Sequence, residues 1–149
     1  MIALLQRVSE ADVRVGQETV GAIGPGLLAL VAVEPEDGER EAERLVSKML
    51  ALRIFADSRN RMNRSLSDIN GGLLLVPQFT LLANTARGNR PSFSGAADPV
   101  RGAALFDLLV GLAASRHGAV ASGRFGAHMA VRLINDGPVT MSLRVPPLA

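Results

Sequence analysis

Cysteine is absent from this 149-residue chain, which removes disulfides, thiolate nucleophiles and cysteine metal sites together. Histidine is nearly absent. His117 and His128 stand alone, their spacing matches no metal motif, and both read as surface or loop residues, so neither metal nor cofactor is expected. The long apolar run of a membrane helix is also missing: Leu27–Val33 spans seven residues, against the roughly 18 that suggest a span. The opening stretch MIALLQRVSEADVRV carries Arg7, Glu10 and Asp12 where a signal peptide needs an unbroken apolar region. These absences together predict a cytoplasmic protein with no membrane partner. No G-x-S-x-G elbow, P-loop or G-x-G-x-x-G fingerprint occurs, and no local motif supports a Ser-His-Asp triad.

What is present suffices for one core. The composition is 48% hydrophobic, and the length fits one domain over residues 1–149. Lysine is almost missing, since fifteen of the sixteen bases are Arg. Six of the fourteen acids fall between Glu34 and Glu43 beside the single base Arg40. The rest of the chain therefore holds 15 bases against 8 acids, a balance of +7. Arginine is the better fork for phosphate, and a basic remainder is compatible with nucleic acid.

Patterning divides the chain into strands and two main helices. IALLQRV and DVRV read as short strands broken at Ser9-Glu10. TVGAI leads through Gly24-Pro25-Gly26 into LLALVAV, a strand buried on both faces. DGEREAERLVSKMLAL aligns Ala42, Leu45, Val46, Met49 and Leu50 on one helical stripe, and its acidic first turn suits the positive end of the helix dipole. RIFAD and SLSDI flank a hairpin-like connection carrying Arg59, Arg61 and Arg64. LLLVPQFTLLA reads as another buried strand, followed by a polar loop holding Arg87 and Arg90. Asp98-Pro99 has the form of an N-cap with proline at the first helical position. It opens a helix that groups Ala104, Leu105, Leu108, Leu109 and Leu112. Met129, Val131 and Leu133 alternate, and so do Val139, Met141, Leu143 and Val145. The expectation is an α+β domain of seven or eight strands, with a curved, barrel-like mixed or antiparallel sheet and two main helices.

Two polar interruptions fall within apolar strands, VPQFTL at 76–81 and NDGPVT at 135–140. By spacing alone, Gln78 and Thr80 fit a solvated strand face. Gly137-Pro138 fits a hairpin turn between two C-terminal strands, since strand interiors exclude that pair.

Taken together, IALLQRV at 2–8, RIFAD at 53–57, PQFTL at 77–81, ARGNRPSF at 86–93, GRFGAHM at 123–129 and NDGPVT resemble the D-aminoacyl-tRNA deacylases. The similarity runs in order over nearly the whole chain. It implies an editing hydrolase that frees D-amino acids, and also glycine, from tRNA, and that works as a homodimer in the cytoplasm. The resemblance puts Gln78, Phe79 and Thr80 in the catalytic pocket, with backbone N–H groups near Phe79 facing the ester carbonyl. Gly137-Pro138 becomes a cis peptide that reaches into the partner's active site and excludes L-substrates, supported by Arg7 and Asn135. Catalysis in this family borrows the 2′-hydroxyl of the tRNA. Arg87 and Arg90 become candidate tRNA contacts, and no DNA partner is expected. Pro77 departs from the family, which usually has serine there; a branch with the same P-Q pair has relaxed chirality. The alternative is a non-catalytic nucleic-acid-binding module of the same fold.

Overall fold

The computed structural model describes residues 1–149. Its elements are β1 (Ile2–Val15), β2 (Glu18–Ile23), β3 (Gly26–Ala32), α1 (Glu39–Ala51), β4 (Phe55–Ala56), β5 (Met62–Arg64), α2 (Leu66–Ile69), β6 (Gly72–Pro77), α3 (Pro99–Arg116), β7 (Val120–Ser122) and β8 (Ala130–Arg144). A single 3-10 turn, Phe79–Leu82, follows β6. The strands run β2-β1-β3-β6-β7, with β8 on the other side of β1. The β3–β6 and β6–β7 pairs are parallel, and β1 is antiparallel to β2, β3 and β8. Mixed pairing and two main helices match the expected class; α2 is an added single turn.

One long strand makes the sheet curl. β1 pairs with β3 through its first half and with β2 through its second, while β8 follows it throughout. One face, carrying Ala3, Leu5, Leu27, Ala29, Val31, Leu73 and Leu75, packs on α1 and α3. The inside of the curl holds Val8, Ala11, Val13, Leu28, Leu74 and Val76. Full burial of each such side chain contributes about 1.5–3 kcal/mol. β3 and β6 are near-continuous apolar runs because both their faces are covered.

Several expectations are corrected. The break at Ser9-Glu10 does not divide β1; the two residues are exposed, and Ser9 is an extra residue at a register shift between Val8↔Asn135 and Glu10↔Ile134 within one continuous strand. The hairpin partner of RIFAD is Met62–Arg64, not SLSDI, which forms α2 capped by Ser65 and Asp68. The buried stripe of α3 is Gly102, Phe106, Leu109 and Ala113. Ala104 is exposed, and Leu105, Leu108 and Leu112 are only flanking. That helix is apolar on almost every side, so its periodicity carries little directional information. Its start is as expected: the Asp98 carboxylate accepts the Val100 and Arg101 N–H groups, both at 3.1 Å.

Candidate active site

The strand reading of LLLVPQFTLLA fails after Pro77, and that failure builds the site. The Gln78 N–H donates to the Val31 carbonyl at 2.7 Å, the last rung between β3 and the β6 segment. Pro77 turns its nitrogen the other way, toward β7, where the last rung is the Gly123 N–H donating to the Leu75 carbonyl at 2.8 Å. With no N–H to give the next rung, Pro77 ends that ladder. Beyond Gln78 the chain winds into the 3-10 turn Phe79–Leu82, and the first N–H groups of such a turn have no acceptor inside it.

This turn stands at a cleft of about 580 Å³ lined by Val76, Pro77, Gln78 and Phe79 from β6 and the turn, with Phe93, Phe125 and Met129 opposite. Phe79 and Phe93 meet edge to face, with centroids 5.1 Å apart, a favoured aromatic geometry. Thr80 is not part of the lining; the Gln78 side-chain amide donates to its hydroxyl. The only ionisable lining side chain is His128, which is exposed. His117 lies elsewhere, buried with Nε2 facing the Gly71 carbonyl at 2.5 Å, a structural role.

Phe93 and Phe125, which join Phe79 in the aromatic wall, are what sequence reading missed. Only five phenylalanines occur in the chain, with no Trp or Tyr, and three of them line this cleft. Phe93 and Phe125 fall outside every helix and strand. Rare aromatics confined to loops were the available signal.

Gly137-Pro138 lies elsewhere in the same chain, and neither residue lines the cleft. It is not a hairpin turn: β8 passes through it as one strand. The register steps from Gln6↔Thr140 to Val8↔Asn135, so Asp136–Val139 bulge outward opposite Arg7 alone. The Gly137-Pro138 peptide is cis, and both residues are exposed. Gly137 has φ +131°, and a Cβ there would stand 2.8 Å from Val139 Cγ2 and 3.0 Å from the Arg7 guanidinium. The Asn135 side chain closes the base of the bulge, donating to Thr140 Oγ1 at 2.7 Å and accepting the Val139 N–H at 3.2 Å. Arg7 donates through Nε to the Asp136 carbonyl at 3.1 Å and through a terminal nitrogen to the Ile54 carbonyl at 2.7 Å. Arg87 and Arg90 are exposed, free of ion pairs, in a loop closed by the Asn84–Ser92 bridge just before Phe93. No group of three or more His, Asp or Glu is placed to hold a metal, and no helix is long and apolar enough to cross a membrane.

A β-sheet curled round a small second core, with an apolar cleft at the end of a central strand, is also the build of known proteins. The family model described as D-Tyr-tRNA(Tyr) deacylase matches residues 4–144. A D-aminoacyl-tRNA deacylase of Thioalkalivibrio sulfidiphilus is 65% identical over 99% of this chain and 99% of its own. One of Methylococcus capsulatus is 60% identical over 99% of this chain and 96% of its own. Among solved structures, the c-Myc DNA Unwinding Element Binding Protein superposes with a TM-score of 0.93 at 36% identity, covering 98% of this chain and 99% of that one. A probable eukaryotic D-amino acid tRNA deacylase shares the fold, with a TM-score of 0.84 at 20% identity over 95% and 97% of the two chains. The protein is thus an enzyme of the hydrolase class, and it belongs to the D-Tyr-tRNA(Tyr) deacylase family.

Proposed function

We propose that this protein hydrolyses the ester of D-aminoacyl-tRNA, and of glycyl-tRNA, to free amino acid and tRNA in the cytoplasm. The observation that carries the mechanism is the start of the Phe79–Leu82 turn, whose first N–H groups lie outside the turn's own hydrogen bonds, beside a cleft with no ionisable side chain except the exposed His128. Such a site offers oxyanion donors but no oriented protein base. Donors of this kind contribute about 2.7–4 kcal/mol each.

The substrate supplies the missing group. An amino acid esterified to the terminal ribose has the vicinal hydroxyl beside its carbonyl, and intramolecular groups so placed reach effective molarities of ~10⁵–10⁸ M. Water adds to the carbonyl carbon while the 2′-hydroxyl relays its proton. The tetrahedral oxyanion rests on the backbone donors, and the ester C–O bond then breaks to return the ribose hydroxyl and release the amino acid. Gln78 and Phe79 line the pocket, and Thr80 orients Gln78.

Selection against L-substrates is assigned to Gly137-Pro138, acting from a second copy of the chain. The bulge is exposed and outside its own chain's cleft, so a homodimer that inserts it over the partner's Phe79 turn gives it a ligand to screen. Arg7 and Asn135 hold it in shape. Arg87 and Arg90 meet tRNA phosphates next to the cleft. Pro77 leaves the β3 side of the ladder intact through the Gln78 N–H to Val31 bond and so leaves the pocket strand in place.

The test is release of amino acid by purified protein from D-tyrosyl-, glycyl- and L-tyrosyl-tRNA at matched enzyme. The first two should be cleaved and the third should survive. Equal rates on D and L would discard the chiral assignment, and no release from any of them would discard the function.

A further inference from the structure

A second basic feature stands apart from the cleft. Asp57–Arg61 closes the β4–β5 hairpin as a three-residue loop: the Asp57 N–H donates to the Arg61 carbonyl at 2.8 Å and the Asn60 N–H to the Asp57 carbonyl at 3.0 Å. Asn60 takes the left-handed conformation, φ 59°, that this loop type requires and that asparagine tolerates. The Asp57 carboxylate accepts the N–H groups of Arg59 at 2.9 Å and Arg61 at 3.0 Å, and the Asn63 side-chain amide at 3.2 Å. These bonds, that from Arg61 foremost, hold the carboxyl below its ordinary pKa. The tip is therefore ordered by its own backbone.

Four arginines are carried on or beside this tip, and they divide into two kinds. Arg53 is committed to Asn63, and Arg64 to the Asp68 carbonyl at 2.8 Å. The guanidinium groups of Arg59 and Arg61 have no hydrogen bond or ion pair, and both residues are exposed on the wall of one shallow hollow with Asp57, Ser58, Met62 and Asn63, the Asp57 carboxylate being engaged by the loop's own N–H groups and Asn63. Because the turn is held by its own hydrogen bonds, an arriving planar or tetrahedral anion has to order the two side chains but no backbone, and the guanidinium fork matches its oxygens.

The hairpin is also tied to the substrate-screening bulge. Its base begins at Ile54, whose carbonyl accepts from the same Arg7 guanidinium that holds Asp136. One side chain thus fixes the bulge and the root of the hairpin together.

We infer that Arg59 and Arg61 form a phosphate-binding clamp for the body of the tRNA whose aminoacylated end the bulge screens. This rests on the deacylase reading only for the identity of the RNA; the clamp itself needs phosphate alone.

The test uses the full chain with Arg59→Ala and Arg61→Ala combined, the charge-preserving double change to Lys, and Ser58→Ala as a control at the same loop. Binding of uncharged tRNA is measured by fluorescence anisotropy across a salt series, which requires no catalysis. The double alanine variant should bind at least roughly tenfold more weakly at 0.1 M salt. Its log–log salt slope should flatten by about 1.5, the release of two phosphates' counterions. The lysine pair should recover most of the slope, and Ser58→Ala should match the parent. D-tyrosyl-tRNA and D-tyrosyl-adenosine are then compared, with the loss on the tRNA ester exceeding that on the adenosine ester by a similar tenfold. An unchanged salt slope overturns the clamp, as does an equal loss on both esters. Failure of the parent to cleave either ester while the slope still flattens overturns the deacylase reading and leaves the clamp standing.

Discussion

Arg7 stands alone on β1 opposite the four-residue bulge Asp136–Val139 and donates to the Asp136 carbonyl at 3.1 Å, with the Asp136 carboxylate a further 3.3 Å ion pair. Hydrogen bonds to a charged group contribute about 1.5–3 kcal/mol each. Arg7→Ala should lower the melting temperature by several degrees, at about 2–4 °C per kcal/mol for a chain this size. It should also narrow the gap between D- and L-tyrosyl-tRNA cleavage, because the bulge and the carbonyl of Ile54 lose their common anchor. Thermal unfolding and paired substrate assays check both outcomes. Retained melting temperature with retained selectivity would make the side chain a bystander.

Gly137→Ala forces a side chain into a backbone region with φ +131° and within 3 Å of Val139. Strain of about 1–3 kcal/mol follows, enough to shift the bulge but not to unfold the chain. Circular dichroism should remain native while D-tyrosyl-tRNA cleavage falls at least tenfold. If the site is shared across a dimer, mixing these subunits with Gln78→Ala subunits should restore partial activity, because some hybrids contain one intact composite site. Mixtures with confirmed subunit exchange that never exceed either parent would place each site within one chain.

Catalysis by the substrate's own hydroxyl separates cleanly from catalysis by Thr80 or His128. Thr80→Ala and His128→Ala should each retain at least about a tenth of parental kcat, since removal of a positioned base or acid costs 10²–10⁴. An ester on a terminal 2′-deoxyadenosine should react at least a hundredfold more slowly. Inactive Thr80→Ala with normal turnover of the deoxy substrate would reverse the assignment.

Arg87 and Arg90 lie on the loop that delivers Phe93 to the cleft. Replacing both by alanine should raise KM for aminoacyl-tRNA and flatten its salt dependence, with kcat little affected. A rise in KM that is the same at every salt concentration would instead indicate a displaced Phe93.

Acid should weaken the end of the sheet through Glu34. Burial alone would raise its carboxyl, but the hydrogen bond from Arg144 at 2.8 Å and the chain's α-ammonium at 3.2 Å outweigh that and hold it below the ordinary 4.5. A depressed folded pKa gives stability that is present above the unfolded value and lost as pH falls through the folded one. Glu34→Gln should therefore be less stable than the parent in urea at pH 7. The difference should shrink progressively once the pH drops below about 4.5.

Elements whose pattern had one meaning were legible in the sequence. The stripe of α1, the Asp98-Pro99 start of α3 and the two-face burial of β3 follow from apolar spacing and capping chemistry, which are local. The motifs NDGPVT and PQFTL likewise carried the family, because their unusual residues are confined to few positions. Only the tertiary structure decided what lay beyond local pattern. Pro77 stops the β6–β7 ladder after the Gly123 N–H to Leu75 carbonyl rung while Gln78 still bonds Val31 of β3, and which neighbour each side of the strand faces is set by the sheet. The bulge at 136–139 is defined only by the pairing of β8 with β1, whose register steps from Gln6↔Thr140 to Val8↔Asn135 across it. Phe93, Phe125 and Phe79 come from three separate segments to one cleft, and Arg7 joins Ile54 to Asp136 across 47 and 129 residues. Such relationships depend on how strands curl around a shared core, a property of the whole chain that no window of sequence contains.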